Sequence, residues 1–145
     1  MAIKVLDSWA LMAFFEDEPA ADEVEKLLHQ ASEQRHKLLL SMVNWGEIFY
    51  STMRAVSRQA AEEKAGEIAA LPVEIVGLGE DLNLTRQAAI YKATCKMSYA
   101  DCFAAALAKS KNAELVTGDP EFKAVEKEIR IGWLPCSPTR ATFMA

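Results

Sequence analysis

Four acidic side chains stand where the chain changes direction. Asp7 closes the β-rich run IKVL, and Asp119 follows the run ELVT by way of Gly118. Asp101 comes three residues after Ser98, at the head of the apolar run FAAALA; Glu47 lies within NWGEIFYS. Each has a local explanation, because acids near helix N-termini are favoured by the helix dipole. Asp7 reads equally well as a helix cap, and Glu47 equally well as a solvated surface acid. Gathered in one crevice, they would do something else. Carboxylates a few ångströms apart repel and hold their protons, and burial beside an apolar helix makes this worse. A divalent cation removes the conflict. An all-oxygen donor set without paired histidines or thiolates favours Mg²⁺ or Mn²⁺ over zinc. The chemistry such a centre serves most naturally is hydrolysis of a phosphodiester.

The elements that must position these acids alternate between strand and helix. A strand over 3–6 runs directly into a helix over 8–15, and Glu18-Pro19 opens a second helix through AADEVEKLLHQASEQ. Residues 37–41 form the second strand. A helix from about Asn44 carries Trp45, Ile48, Phe49, Thr52, Met53 and Val56 at helical spacing, and these are its expected core stripe. Glu47 stands off that stripe. A charge- and alanine-rich helix over about 57–71 makes an antiparallel pair with it and is stopped by Pro72. Residues 73–76 read as a strand, and a turn over 77–80 leads to a helix containing Leu82, Leu84, Ala88, Ala89, Tyr91 and Ala93. Ser98 then caps a helix that Asn112 ends, buried on several sides. After the strand 114–117, Asp119 caps and Pro120 opens a short helix through EFKAVEKE, before a last strand over 129–134.

Such alternation implies an α/β fold: one domain over 1–134 with a mainly parallel central sheet of about five strands and helices on both faces. Residues 135–145 form an irregular tail. In this arrangement the carboxyl ends of the strands share one edge. Asp7 and Asp119 then follow strands, and Glu47 and Asp101 sit in first turns of helices entered from that edge.

Bulk properties bound the alternatives. A chain of 145 residues, 51% hydrophobic and 26% charged, suits one folded domain. The net charge of −5 argues mildly against a nucleic-acid binder, although an acidic centre supplies part of it. No stretch approaches the ~20 apolar residues of a membrane span, and a cytoplasmic protein is expected. Cys95, Cys102 and Cys136 show neither CxxC spacing nor a disulfide framework and read as buried thiols. His29 and His36 are isolated and expected on exposed helix or loop. No P-loop or dinucleotide fingerprint implies an organic cofactor.

The segments YADCFAAALA and LVTGDPEF resemble the C-terminal half of a PIN domain, and IKVLDSWALMAFF with NWGEIFYS resembles its two N-terminal acidic motifs. Within that superfamily the chain most resembles the VapC toxins of toxin–antitoxin pairs. The resemblance implies a metal-dependent endoribonuclease acting on single-stranded or looped RNA. It implies Asp7, Asp101 and Asp119 as metal-binding acids, with Glu47 binding or positioning metal and water. Thr117 matches the hydroxyl of a Thr-x-Asp-x-x-Phe pattern and would hold Asp7, and Ser8 fits the small hydroxyl position after the first acid. Glu121 falls where many members carry a further acid, with no role assigned. A cognate antitoxin and a homodimer are the implied partners. Arg54, Arg58, Arg86, Lys92, Lys96, Lys123 and Lys127 are available to touch phosphates, yet form no RNA-recognition motif.

Rival readings fit less well. A receiver-type phosphoacceptor wants paired acids after its first strand, and a haloacid-dehalogenase phosphatase wants an acid at the position of Trp9. A non-catalytic interaction module of the same fold, or a housekeeping RNA-processing nuclease, stays open.

Overall fold

The computed structural model describes residues 1–136. Five strands form a single all-parallel sheet: β1 (Ala2–Leu6), β2 (His36–Ser41), β3 (Val73–Val76), β4 (Glu114–Thr117) and β5 (Ile131–Trp133). Six α-helices join them: α1 (Ser8–Phe15), α2 (Ala21–Ser32), α3 (Met42–Ala55), α4 (Arg58–Ala69), α5 (Asn83–Thr94) and α6 (Tyr99–Lys111). A 3₁₀ helix, Pro120–Val125, follows β4. The strand order is β3-β2-β1-β4-β5, so the chain builds outward from β1 in one direction and then crosses to its other side.

The period-2 alternation of a strand divides the core in two. Val5, Leu39 and Leu115 face a layer built on Ala88, Tyr91, Phe103, Leu107, Phe122 and Val125, from α5, α6 and the 3₁₀ helix. Their neighbours Leu6, Leu38, Leu40 and Val116 face Trp9, Leu11, Val24, Leu28, Ile48 and Ile68, from α1 to α4. Helices therefore cover both faces, as expected. Helix α6 is buried continuously from Asp101 to Ala108, and its alanines let it lie close to the sheet, α5 and α3. Truncating Leu107 there to alanine would cost about 2–5 kcal/mol. Asn112 ends α6 in the left-handed conformation that asparagine tolerates.

Several boundaries differ from expectation for local reasons. Ser41, in extended conformation, accepts from Val43 N–H, so α3 begins at Met42 rather than near Asn44. Its buried line is Asn44, Ile48 and Thr52, spaced by four residues; Met53 lies a turn away on the exposed side. Val56 falls past the helix end and is 72% exposed. Leu82 precedes α5 as its cap, 67% exposed, rather than packing within the helix. The helix after Asp119 is 3₁₀ and stops at Val125, and β5 is only three residues long. Helix α2 begins at Ala21, after a turn in which Ala21 N–H bonds Glu18 O.

His36 was expected to be exposed but is buried at the start of β2, its ring Nε2 2.9 Å from Leu27 O. Of the cysteines, Cys102 is buried, Cys95 half-buried and Cys136 exposed, so only the first fits the expected buried thiol. Of the expected irregular tail, residues 137–145 lie outside the described residues. No helix among the described residues is long and apolar enough to cross a membrane.

Candidate metal centre

The crossing of the chain from one side of β1 to the other places β1 and β4 side by side, with Leu6 paired to Val116. Such a switch point opens a crevice outside the carboxyl ends of the strands. Asp7 is the first residue beyond β1 and is wholly buried. Its Oδ1 accepts from Ala10 N–H at 2.9 Å, which makes it the cap of α1. Its Oδ2 accepts from the Thr117 hydroxyl at 2.6 Å. Asp7 is thus a helix cap and also half of a long-range contact.

Thr117 ends β4, and its hydroxyl also accepts from Asp119 N–H at 3.0 Å. Asp119 Oδ1 in turn accepts from Glu121 N–H at 3.0 Å and caps the 3₁₀ helix. Asp101, nearly buried in the first turn of α6, has its N–H bonded to Ser98 Oγ at 3.2 Å. One oxygen each of Asp101, Asp119 and Glu121 lie within 4.8 Å of one another. Among the described residues this is the one group of three acids so close.

The acids act on each other's protons. Asp101 is pushed up to about 9, chiefly by burial, then by the charges of Asp7, Asp119 and Glu47 and by a side-chain hydrogen bond with Glu121. Asp7 is pushed up to about 7 by burial; the Thr117 and Ala10 hydrogen bonds oppose this, and the charges of Asp119 and Glu47 add to it. Asp119 is raised as well, first by burial, with the Glu121 N–H bond opposing and the Glu121 charge adding. All four expected acids therefore share one electrostatic site. Only two of them, Asp101 and Asp119, belong to the tight trio.

Glu47 departs from its expected place along the helix. It lies in the second turn of α3, so helix-terminal electrostatics does not account for it. It is half-buried, and the Ser8 hydroxyl donates to its Oε1. That bond joins the head of α1 to α3.

Sequence reasoning passed over Asn44 and left Glu121 without a role. Asn44 is fully buried in α3, and its Nδ2 donates to Ala100 O at 3.3 Å, beside Asp101. An asparagine early in a predicted helix reads only as a cap, and nothing local marks its partner 56 residues away. Glu121 carried a usable signal, an acid two residues after a helix cap. Lys92, by contrast, does what its position suggests: Nζ donates to Met97 O just past the end of α5.

The profile of the PIN domain matches residues 4–128. The chain belongs to the PIN domain family. No curated protein sequence matches it. The fold of this PIN domain is similar to that of VapBC2 from Rickettsia felis, solved bound to a DNA fragment from its promoter. That likeness has a TM-score of 0.70 at 16% identity and covers 92% of this chain and 99% of that one. DNA-bound VapBC from Salmonella typhimurium is equally similar: TM-score 0.70, 16% identity, 91% and 98% covered. Mycobacterium tuberculosis VapC20, a Sarcin-Ricin loop cleaving toxin, matches with a TM-score of 0.64 at 17% identity over 86% and 95%.

The residues of this PIN domain fit a divalent cation. Burial, with the neighbouring carboxylates, pushes Asp7 and Asp101 well above the usual carboxylate range, a cost to their charged forms that a bound cation would relieve. The donors are oxygens throughout, which suits a hard ion.

Proposed function

We propose that this PIN domain is a Mg²⁺- or Mn²⁺-dependent endoribonuclease and the toxin of a VapBC-type toxin–antitoxin pair. The observation that carries the reading is the convergence of Asp7, Asp101 and Asp119 at the β1–β4 switch point, with their protons held high. Asp101 and Asp119, with Asp7 beside them and Glu121 as a further donor, would hold the cation. A cation held by these residues would supply Lewis acidity, to activate a water and offset charge on the phosphate. Thr117 keeps Asp7 oriented, and Ser8 keeps Glu47 oriented to position water. Burial of Asp7 and Asp101 excludes bulk water from their carboxylates.

The toxin assignment draws support from the VapBC complexes of the same fold. An antitoxin segment would seat on the cleft of about 520 Å³ between α1, α3 and α4, lined by Met12, Ile48, Tyr50 and Val56. Ser8 and Glu47 also line that cleft, so a basic side chain of the segment would reach the acidic site. A homodimer working in the cytoplasm completes the reading. A housekeeping RNA-processing nuclease would use the same acids but needs no such partner.

Incubating the purified chain with single-stranded and stem-loop RNAs, with Mn²⁺ or with EDTA, tests the activity. Cleavage only with the metal is expected, and intact RNA under every metal condition would sink the proposal. Growth arrest on expression, relieved by the product of a neighbouring small gene, tests the toxin assignment.

A further inference from the structure

We infer that Trp9 is a positioning residue for the metal-binding acids, and that it acts through Gly118. The inference rests on the nuclease reading above for its functional meaning and on geometry for its substance. Gly118 stands between Thr117, which holds Asp7, and Asp119, which joins the acidic trio. Its backbone is outside the left-handed region, where among the described glycines only Gly79 lies. Conformational freedom is therefore not why a glycine occupies this position.

Close approach is the reason. A β-carbon built on Gly118 would stand 2.5 Å from Trp9 Cζ3 and 2.7 Å from Cζ2, and closer still to Cη2. Real β-carbons essentially never come within 3.0 Å of a neighbour. The obstacle is the rigid far edge of an indole, not the end of a flexible chain. Trp9 is 3% exposed and wedged in the core layer with Leu6, Val116 and Leu134, so the ring has nowhere to swing.

Two contacts thus tie the corner after β1 to the corner after β4. The Thr117–Asp7 hydrogen bond draws them together, and the face of Gly118 resting on Trp9 sets how near they come. Asp119 is the next residue, its N–H bound to Thr117 and its carboxylate to Glu121 N–H, so it moves with the corner. A methyl group at position 118 has to lift that corner off the ring, and Asp119 shifts with it relative to Asp101. A displacement of about 1 Å in such a constellation costs on the order of a hundredfold in rate.

The decisive set is Gly118→Ala, Trp9→Leu and the double variant, each measured for melting with and without Mn²⁺ and for RNA cleavage. Gly118→Ala is expected to raise the half-saturating Mn²⁺ at least tenfold and to lower kcat, with KM for RNA within about twofold of the parent. A merely structural contact would lower metal-free melting without moving the Mn²⁺ midpoint. Trp9→Leu alone leaves a gap under Gly118 and should also weaken the Mn²⁺ response; in the double variant the alanine methyl fills part of that gap, so most of the response should return. If Gly118→Ala alone does not fold, a double variant that folds and responds to Mn²⁺ gives the same support. A parent-like Mn²⁺ midpoint in Gly118→Ala, or a double variant no better than the single, overturns the inference. Metal-free crystal structures of the parent and Gly118→Ala decide the placement separately: an unmoved Asp119 carboxylate also overturns it. A parent that cleaves no RNA fails the nuclease reading, while the buttress still stands or falls on that displacement.

Discussion

The Thr117 hydroxyl donates a 2.6 Å hydrogen bond to Asp7 Oδ2 across 110 residues of sequence, and both side chains are buried. The Thr117 hydroxyl oxygen in turn accepts from Asp119 N–H. One small side chain therefore joins two acids that follow adjacent strands of the sheet.

Replacing Thr117 by valine keeps the shape and removes the donor. The buried Asp7 oxygen then lacks its partner, which costs about 1–3 kcal/mol. Loss of that bond also lets the Asp7 carboxyl rise above its value of about 7, because the bond opposes burial there. We expect cleavage to fall at least tenfold in Thr117→Val and to stay within a few-fold of the parent in Thr117→Ser. Parent-like rates in the valine variant would remove Thr117 from the site.

Asp101→Asn is nearly isosteric and leaves the N–H bond to Ser98 in place. It takes a charged donor from the trio. Cleavage should drop by at least a hundredfold while the circular dichroism spectrum stays unchanged. A variant as active as the parent at equal Mg²⁺ would reduce Asp101 to a residue of the helix start.

Stability of the metal-free protein should depend on pH in a direction unusual for acids. Burial and neighbouring charges push Asp7 from the unfolded value of 3.8 up to about 7 and Asp101 up to about 9. Between those limits the folded chain binds more protons than the unfolded one, so stability falls as pH rises. The contribution is complete below about pH 4 and is lost as pH climbs through 7 and then 9. Melting curves from pH 5 to 9 should decline without metal, and the Mn²⁺-induced rise should grow over the same range. A metal-free melting temperature that climbs with pH would contradict the shared site.

Asp119→Asn separates repulsion from capping. Asparagine caps nearly as well as aspartate, so the 3₁₀ helix keeps its start. The metal-free variant should melt no lower than the metal-free parent, because one of the repelling charges is gone. In the parent, Mn²⁺ at a hundredfold excess over Kd should add about 2.7 kcal/mol, a shift of several degrees. The variant should lose most of that rise. Equal Mn²⁺ responses in the two proteins would leave Asp119 as a cap alone.

Tyr50 and Met53 on α3, with Val56 just past its end, expose apolar area, and Phe14 and Phe15 are half-buried on α1. If an antitoxin segment covers this face, amides of α3 and α4 should gain hydrogen-exchange protection in the complex purified from the native operon. Protection confined to other helices would put the partner elsewhere.

Much of the site was legible because its signals are local. A cap is written within four residues, so Ser98 and Asp119 with Pro120 located two helix starts without any tertiary information. The runs IKVL and ELVT are short β-rich segments of strand length, and their ends located Asp7 and Asp119. Asn112 marked the end of α6 because few residues accept its backbone conformation. Even a mainly parallel sheet was to be expected, since each strand is separated from the next by a helix; the structure makes it parallel throughout.

What remained hidden depends on which strands lie side by side. No local pattern says that β4 pairs with β1 rather than with β3, yet that pairing brings Thr117 to Asp7. Periodicity on α3 could not tell Ile48 and Thr52, turned to the core, from Met53, because all are spaced for a helix; the neighbouring elements choose the face. His36 looked solvated because nothing in its sequence names Leu27 O as its partner. The proton affinities of Asp7 and Asp101 belong to this second class. A carboxyl's charge is set by burial and by charges brought near through folding, and both exist only once the sheet has closed around the switch point.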